Sequence, residues 1–252
     1  MFQSVRRWLS GGRLGAQASG FSAVEAWAGR AGFRFRKAQD CSRFLIETTS
    51  KGFELRVEWG PSQRSYIEPN ELRLRMDMNL PGAVQMLVLN LPLMERLEGE
   101  TFERYTQSAQ TMIDMSTPEE MRWLAMFSKI DLSYDKALRS RFCVLGADPD
   151  LTLAWIKGGL GAQLERATHE LLQPDTPFVL ITMRGKIYLR MQLTEPSPAA
   201  LTHGLELFDA AVQSALSLIG SMPPGQTEWV STASTAWQTH TQLDDPEEPP
   251  HR

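Results

Sequence analysis

Four histidines and two cysteines are spread over 252 residues, which leaves little material for metal or thiol chemistry. Cys41 and Cys143 have no CxxC spacing and are too few for a disulfide framework. They read as free thiols of a reducing compartment, and Cys143, inside the apolar run FCVLG, as a buried, inert one. No run approaches about 18 uninterrupted apolar residues, so no membrane-spanning helix is expected. No GxSxG elbow is present, which removes the common hydrolase nucleophile. The glycine cluster Gly158-Gly159-Leu160-Gly161 lacks the Gly-Lys-Ser/Thr of a phosphate loop and lies within a helical pattern, so it reads as a break between two helices. Glu165 with His169 and His203 with Glu206 have helical spacings that can chelate, but no further ligands accompany either pair. No metal, cofactor or catalytic residue is assigned on these grounds.

An export core is also missing. The stretch SVRRWLS resembles a twin-arginine address, but Arg13, Glu25 and several glycines interrupt the apolar segment that must follow. Residues 1–20 therefore read as a flexible basic leader. Phe2, Val5 and Leu9 share one helical side beside Trp8, Arg6 and Arg7, a stripe suited to peripheral contact with an anionic membrane.

What is present is ordinary for a soluble domain: 42% hydrophobic and 22% charged residues, with a net charge of −4. The charge is uneven. Residues 1–37 carry a net +6 and residues 222–252 a net −4. The basic stretch RFRK, interleaved with Phe33 and Phe35, has the pattern of a nucleic-acid strand, but any amphipathic strand shares it and the chain is acidic overall. Nucleic acid is not an expected partner.

Alternation dominates the first half. In FELRVEW, Phe53, Leu55, Val57 and Trp59 alternate with Glu54, Arg56 and Glu58; in ELRLRMDM, Leu72, Leu74, Met76 and Met78 alternate with Glu71, Arg73, Arg75 and Asp77. This predicts antiparallel strands with one wet face whose opposite charges pair across the sheet. FRFRK alternates likewise, RFLIETT continues the strand character, and AVQMLVLNLPL predicts a buried strand running into a helix near Pro92. A helix is predicted over 21–30. Another is predicted at STPEEMRWLAMF, with Thr117 as N-cap, Pro118 at the first helical position and Glu120 closing a capping box. RFCVLG predicts a strand, and Asp148-Pro149 opens the helix that the glycine cluster splits. PFVLITMRGKIYLRMQL predicts a hairpin turning at Arg184–Lys186, and Ser197-Pro198 opens a last helix.

These elements imply an α+β protein, an antiparallel sheet covered on one face by helices. The likeness of the two hairpin patterns suggests two pseudo-repeated lobes. The expected organisation is a leader at 1–20, a first lobe at 21–115, a second lobe at 116–221 packed on the first, and a disordered acidic tail at 222–252. In that tail Trp229, Val230 and Trp237 stand in polar sequence, as anchors for a protein partner or as a segment packing back on its own domain. The function expected is that of a non-catalytic cytoplasmic interaction or adaptor protein, with peripheral inner-membrane contact through the N-terminus. The alternative is a small-ligand binder or enzyme with an apolar pocket lined by the methionines at 76, 78, 86, 94, 112, 115, 121 and 126.

Overall fold

The computed structural model describes residues 21–107 and 117–221. Eight strands form one antiparallel sheet: β1 (Arg34–Lys37), β2 (Phe44–Ser50), β3 (Phe53–Pro61), β4 (Asn70–Asp77), β5 (Met86–Asn90), β6 (Phe142–Gly146), β7 (Phe178–Met183) and β8 (Lys186–Gln192). Seven helices accompany them among the described residues: α1 (Ser22–Arg30), α2 (Leu91–Gln107), α3 (Glu119–Met126), α4 (Lys136–Arg139), α5 (Pro149–Ile156), α6 (Gly159–Glu170) and α7 (Pro198–Ser221). This is the expected α+β class.

The strand order is β1-β2-β3-β4-β8-β7-β5-β6. The meander β1–β4 and the hairpin β7–β8 match their alternation. Both two-residue turns place two residues at positive φ: Lys51 (54°) with Gly52 (85°), and Arg184 (50°) with Gly185 (77°). That geometry matches the twist of the flanking strands. No break in the sheet follows the boundary expected between residues 115 and 116. β5, from the first segment, lies between β7 and β6 of the second. All five of its residues are buried, as its unbroken apolar run requires of a strand covered on both faces.

The two faces of the sheet are covered unequally. One buries Ile46, Val57, Leu74, Leu189, Leu180, Val88 and Val144 across the whole width, under α1, α5, α6 and α7. Trp155 of α5 is fully buried there, and its indole donates to the Ala211 carbonyl at 3.1 Å. Among the described residues the opposite face has a second core only at the far side. There Leu87, Leu89, Val179, Ile181 and Cys143 pack beneath Leu93, Met94 and Leu97 of α2 and Met121 and Trp123 of α3. Among the described residues no helix lies over β1–β4 on that side.

Two local expectations differ from what forms. α3 begins at Glu119 with Pro118 as its N-cap and no side-chain cap. Glu120 does not close a box with Thr117, because it is drawn into a buried ionic cluster. α4, with the Asp135 side chain accepting from the Leu138 amide, is too short for its period to be read from sequence. By contrast Asp148 caps α5 at the Leu151 amide, as expected, and Gly158 at φ 84° separates α5 from α6.

β6 ends on a close approach. A Cβ at Gly146 would sit 2.8 Å from the Gln85 carbonyl oxygen and 3.2 Å from Thr152 Cβ. Gly146→Ala is therefore expected to cost about 1–3 kcal/mol through overpacking. Urea unfolding of the full chain checks it; a stability equal to wild type contradicts the close approach.

Candidate interaction surface

The uncovered side of the sheet is built from the polar half of each alternating strand. Register places its residues in rows running across the strands. One row reads Arg34, Glu47, Arg56, Arg75, Tyr188, Ile181, Leu87, Leu145. The next reads Arg36, Leu45, Glu58, Arg73, Arg190, Val179, Leu89, Cys143. Over β1–β4 both rows are charged except at Leu45, which is buried, and both turn apolar where α2 and α3 cover them. The charges pair across strands as the sequence predicts: Arg36 with Glu47 at 2.6 Å, Arg56 with Glu47 at 3.4 Å, and Arg73 with Glu58 at 3.2 Å. The partly exposed Arg36–Glu47 pair stabilises by only about 0–1 kcal/mol. Arg34 and Arg75 make no ion pair among the described residues.

Two like-charged pairs stand directly opposite each other, Arg73 with Arg190 and Arg56 with Arg75. Such pairs are destabilising unless a counter-ion intervenes. For the first, Glu71 supplies it. Its Oε1 accepts from Arg73 Nη1 at 2.9 Å and from Arg190 Nη1 at 2.8 Å. The alternation places Glu71 on the wet face, yet it is fully buried, with Arg190 only 4% exposed. Ser62 donates to Glu71 Oε2 at 3.2 Å, and Gln63 Oε1 accepts from Arg190 Nη2 at 3.3 Å. The loop between β3 and β4 thus closes over this corner. Burial lowers the Arg190 pKa against the opposing pull of Glu71.

The same loop carries a second buried cluster. Arg64 Nε donates to Glu120 Oε1 at 2.8 Å, and the Tyr66 hydroxyl donates to the same oxygen. Glu120 is fully buried. Its neighbour Glu119 is held by Arg122 and by Arg184 of the β7–β8 turn, both at 2.5 Å. The first turn of α3 is therefore clamped to two separate parts of the sheet. Burial alone would lower the Arg64 pKa, but Glu120 and Tyr66 outweigh it and the net shift is upward. Burial, reinforced by Glu120, raises the Tyr66 pKa well above that of an ordinary tyrosine.

A cavity of about 560 Å³ follows this loop, lined by Pro61–Ser65 with Ile67, Glu68 and Pro69. It is not the methionine pocket expected. Met76, Met78 and Met86 fill one core, Met94 and Met121 the other, and Met126 is exposed. Met112 and Met115 lie outside the described residues. Met76, Met78 and Met86 share one face of the sheet, while Met94 of α2 and Met121 of α3 lie over the other, so the methionines fill space in two separate cores like other core residues.

Other candidates resolve differently. Phe35 packs on Phe44 at 5.5 Å between ring centres and Phe33 on Trp27 at 5.6 Å, so neither presents a ring for base stacking. His203 faces Glu170 at 3.6 Å, while Glu206 takes Arg166 at 3.4 Å. Among the described residues no three metal-ligating side chains converge. Cys143 is buried, and burial pushes its pKa to about 11. Phe2, Val5, Arg6, Arg7, Trp8 and Leu9, and Trp229, Val230 and Trp237, lie outside the described residues. No helix among those described is long and apolar enough to cross a membrane. Even the 24-residue α7 carries His203, Glu206 and Asp209 along its outer side.

No protein-family profile and no curated protein matches the chain. The crystal structure of the mycobacterial trehalose monomycolate transport factor A, TtfA, overlays it with a TM-score of 0.43 at 10% identity, covering 80% of this chain and 95% of that one. A likeness at that level carries no argument about this protein.

The buried tyrosine has a measurable consequence. Unfolded, Tyr66 titrates near 10.0; folded, it holds its proton to higher pH. Its contribution to stability is fully present below pH 10.0 and is lost as pH rises toward the folded value. Between pH 10.0 and the folded value stability is expected to fall by up to about 1.4 kcal/mol per pH unit, and Tyr66→Phe is expected to flatten the fall. Urea unfolding at a series of alkaline pH values checks this, and identical slopes for both proteins would contradict it.

Proposed function

We propose that this chain is a non-catalytic interaction protein whose docking surface is the uncovered half of the sheet, β1–β4. The observation that carries the reading is the unequal covering. Among the described residues, helices close one face across all eight strands and the other only over its far side. What is left is a broad charged surface on a rigid scaffold, a form suited to partner choice by charge complementarity. Arg34 and Arg75, which lack carboxylates among the described residues, are its available cations.

The cavity beside the β3–β4 loop supports a second reading, a small polar ligand held near buried Arg64. The uncovered face favours the first. Cytoplasmic location and an adaptor role belong to the same proposal.

Full-length chain, Arg34→Glu/Arg75→Glu and, as a control on the helical face, Arg166→Glu are used as bait in native lysate. The expected result is one partner retained by wild type and the control and lost with the double variant. Retention by all three baits would contradict the assignment of this face.

A further inference from the structure

We propose that the acidic stretch Asp244–Glu248 of this chain occupies the uncovered face, its carboxylates received by Arg34 and Arg75. This rests on the reading of that face as a docking surface.

Two like-charged pairs stand on this face. Arg73 opposite Arg190 is neutralised within the fold by Glu71. Arg56 opposite Arg75 has carboxylates only on the Arg56 side, Glu47 at 3.4 Å and Glu54 at 4.0 Å. Arg75 is left facing a like charge with no anion of its own among the described residues. Three places along the same row, Arg34 is in the same state. The face thus offers two cationic positions in a chain whose net charge is −4.

The chain also contains a matching anion. Asp244, Asp245, Glu247 and Glu248 lie around Pro246 in a region of net charge −4. Three interstrand steps separate Arg34 from Arg75, about 14 Å at the usual spacing. Asp244 to Glu248, extended, spans about 13 Å. A proline follows both Asp245 and Glu248, which disfavours helix at each of them. From Ser221, the end of α7, the intervening chain reaches up to about 75 Å. The eight-stranded sheet is about 34 Å across, so the stretch can pass around an edge to the opposite face. Tethering then gives these exposed ion pairs a high effective concentration, and a partner binding this face has to displace the segment.

The test uses the full-length chain labelled with ¹⁵N. Wild type is compared with Asp244→Asn/Asp245→Asn/Glu247→Gln/Glu248→Gln by following backbone amides and the arginine side-chain Nε–H resonances. Neutralisation is expected to shift Arg34, Arg56, Arg75 and their row neighbours, independently of protein concentration. Raising salt to about 1 M in wild type is expected to move the same signals the same way, because the screening length falls to about 3 Å. A synthetic peptide of residues 240–252, added to the neutralised variant, is expected to return them toward wild type. Shifts that depend on protein concentration would overturn the proposal in favour of a second copy's segment. If the peptide moves the face but neutralisation leaves it unchanged, the intramolecular contact is overturned while the docking surface stands. If neither moves it, both readings fall.

Discussion

Glu71 is the carboxylate on which the continuity of the sheet depends. β4 and β8 meet at the seam where the N-terminal meander joins the later strands, and Arg73 stands opposite Arg190 there. Two guanidinium groups on neighbouring strands repel, and Arg190 is almost wholly removed from water. One buried carboxylate bonded to both turns that repulsion into a network. Removing one member of such a network leaves an uncompensated buried charge, which is far more costly than losing a surface pair.

From that seam the two sides of the polar face diverge. Toward β1 the rows stay charged except at buried Leu45, with cross-strand ion pairs that hold register. Toward β6 they turn apolar and need a cover, which α2 and α3 provide. The loop between β3 and β4 joins the two regimes: Ser62 and Gln63 close over Glu71 and Arg190, while Arg64 and Tyr66 hold Glu120 at the start of α3. Buried ionic groups of this kind fix one arrangement of parts more than they add stability. Here they fix where the helical cover stops, and so how much of the sheet remains open.

Much of the architecture was legible in the sequence, because its signals are local. Period-two alternation located β1, β3 and β4, strand-forming composition located β2, the Lys51-Gly52 and Arg184-Gly185 turns marked the β2–β3 and β7–β8 hairpins, and Asp148-Pro149 opened α5. The position of β5 was not legible: an unbroken apolar run indicates burial on both faces but names no neighbour. Glu71 was misread for a related reason. By alternation it is indistinguishable from Glu54 or Glu58. Its burial depends on Arg190, 119 residues away, and on the loop that folds over them both. Glu120 looked like a helix-start residue for the same want of long-range information. The methionines are close in sequence, but Met76, Met78 and Met86 lie in the core on one face of the sheet, and Met94 and Met121 sit on helices that cover the other. The charge ladder was legible as a pattern; that its far side is covered and its near side open followed only from the strand order.

Native-state hydrogen exchange on Glu71→Gln measures the seam directly. With the charge removed and the shape kept, Arg73 and Arg190 face each other without a counter-ion. Amides of β4 and β8 are expected to lose protection together, with a stability loss of about 3–5 kcal/mol. Protection at both strands equal to wild type would contradict the central role given to this carboxylate.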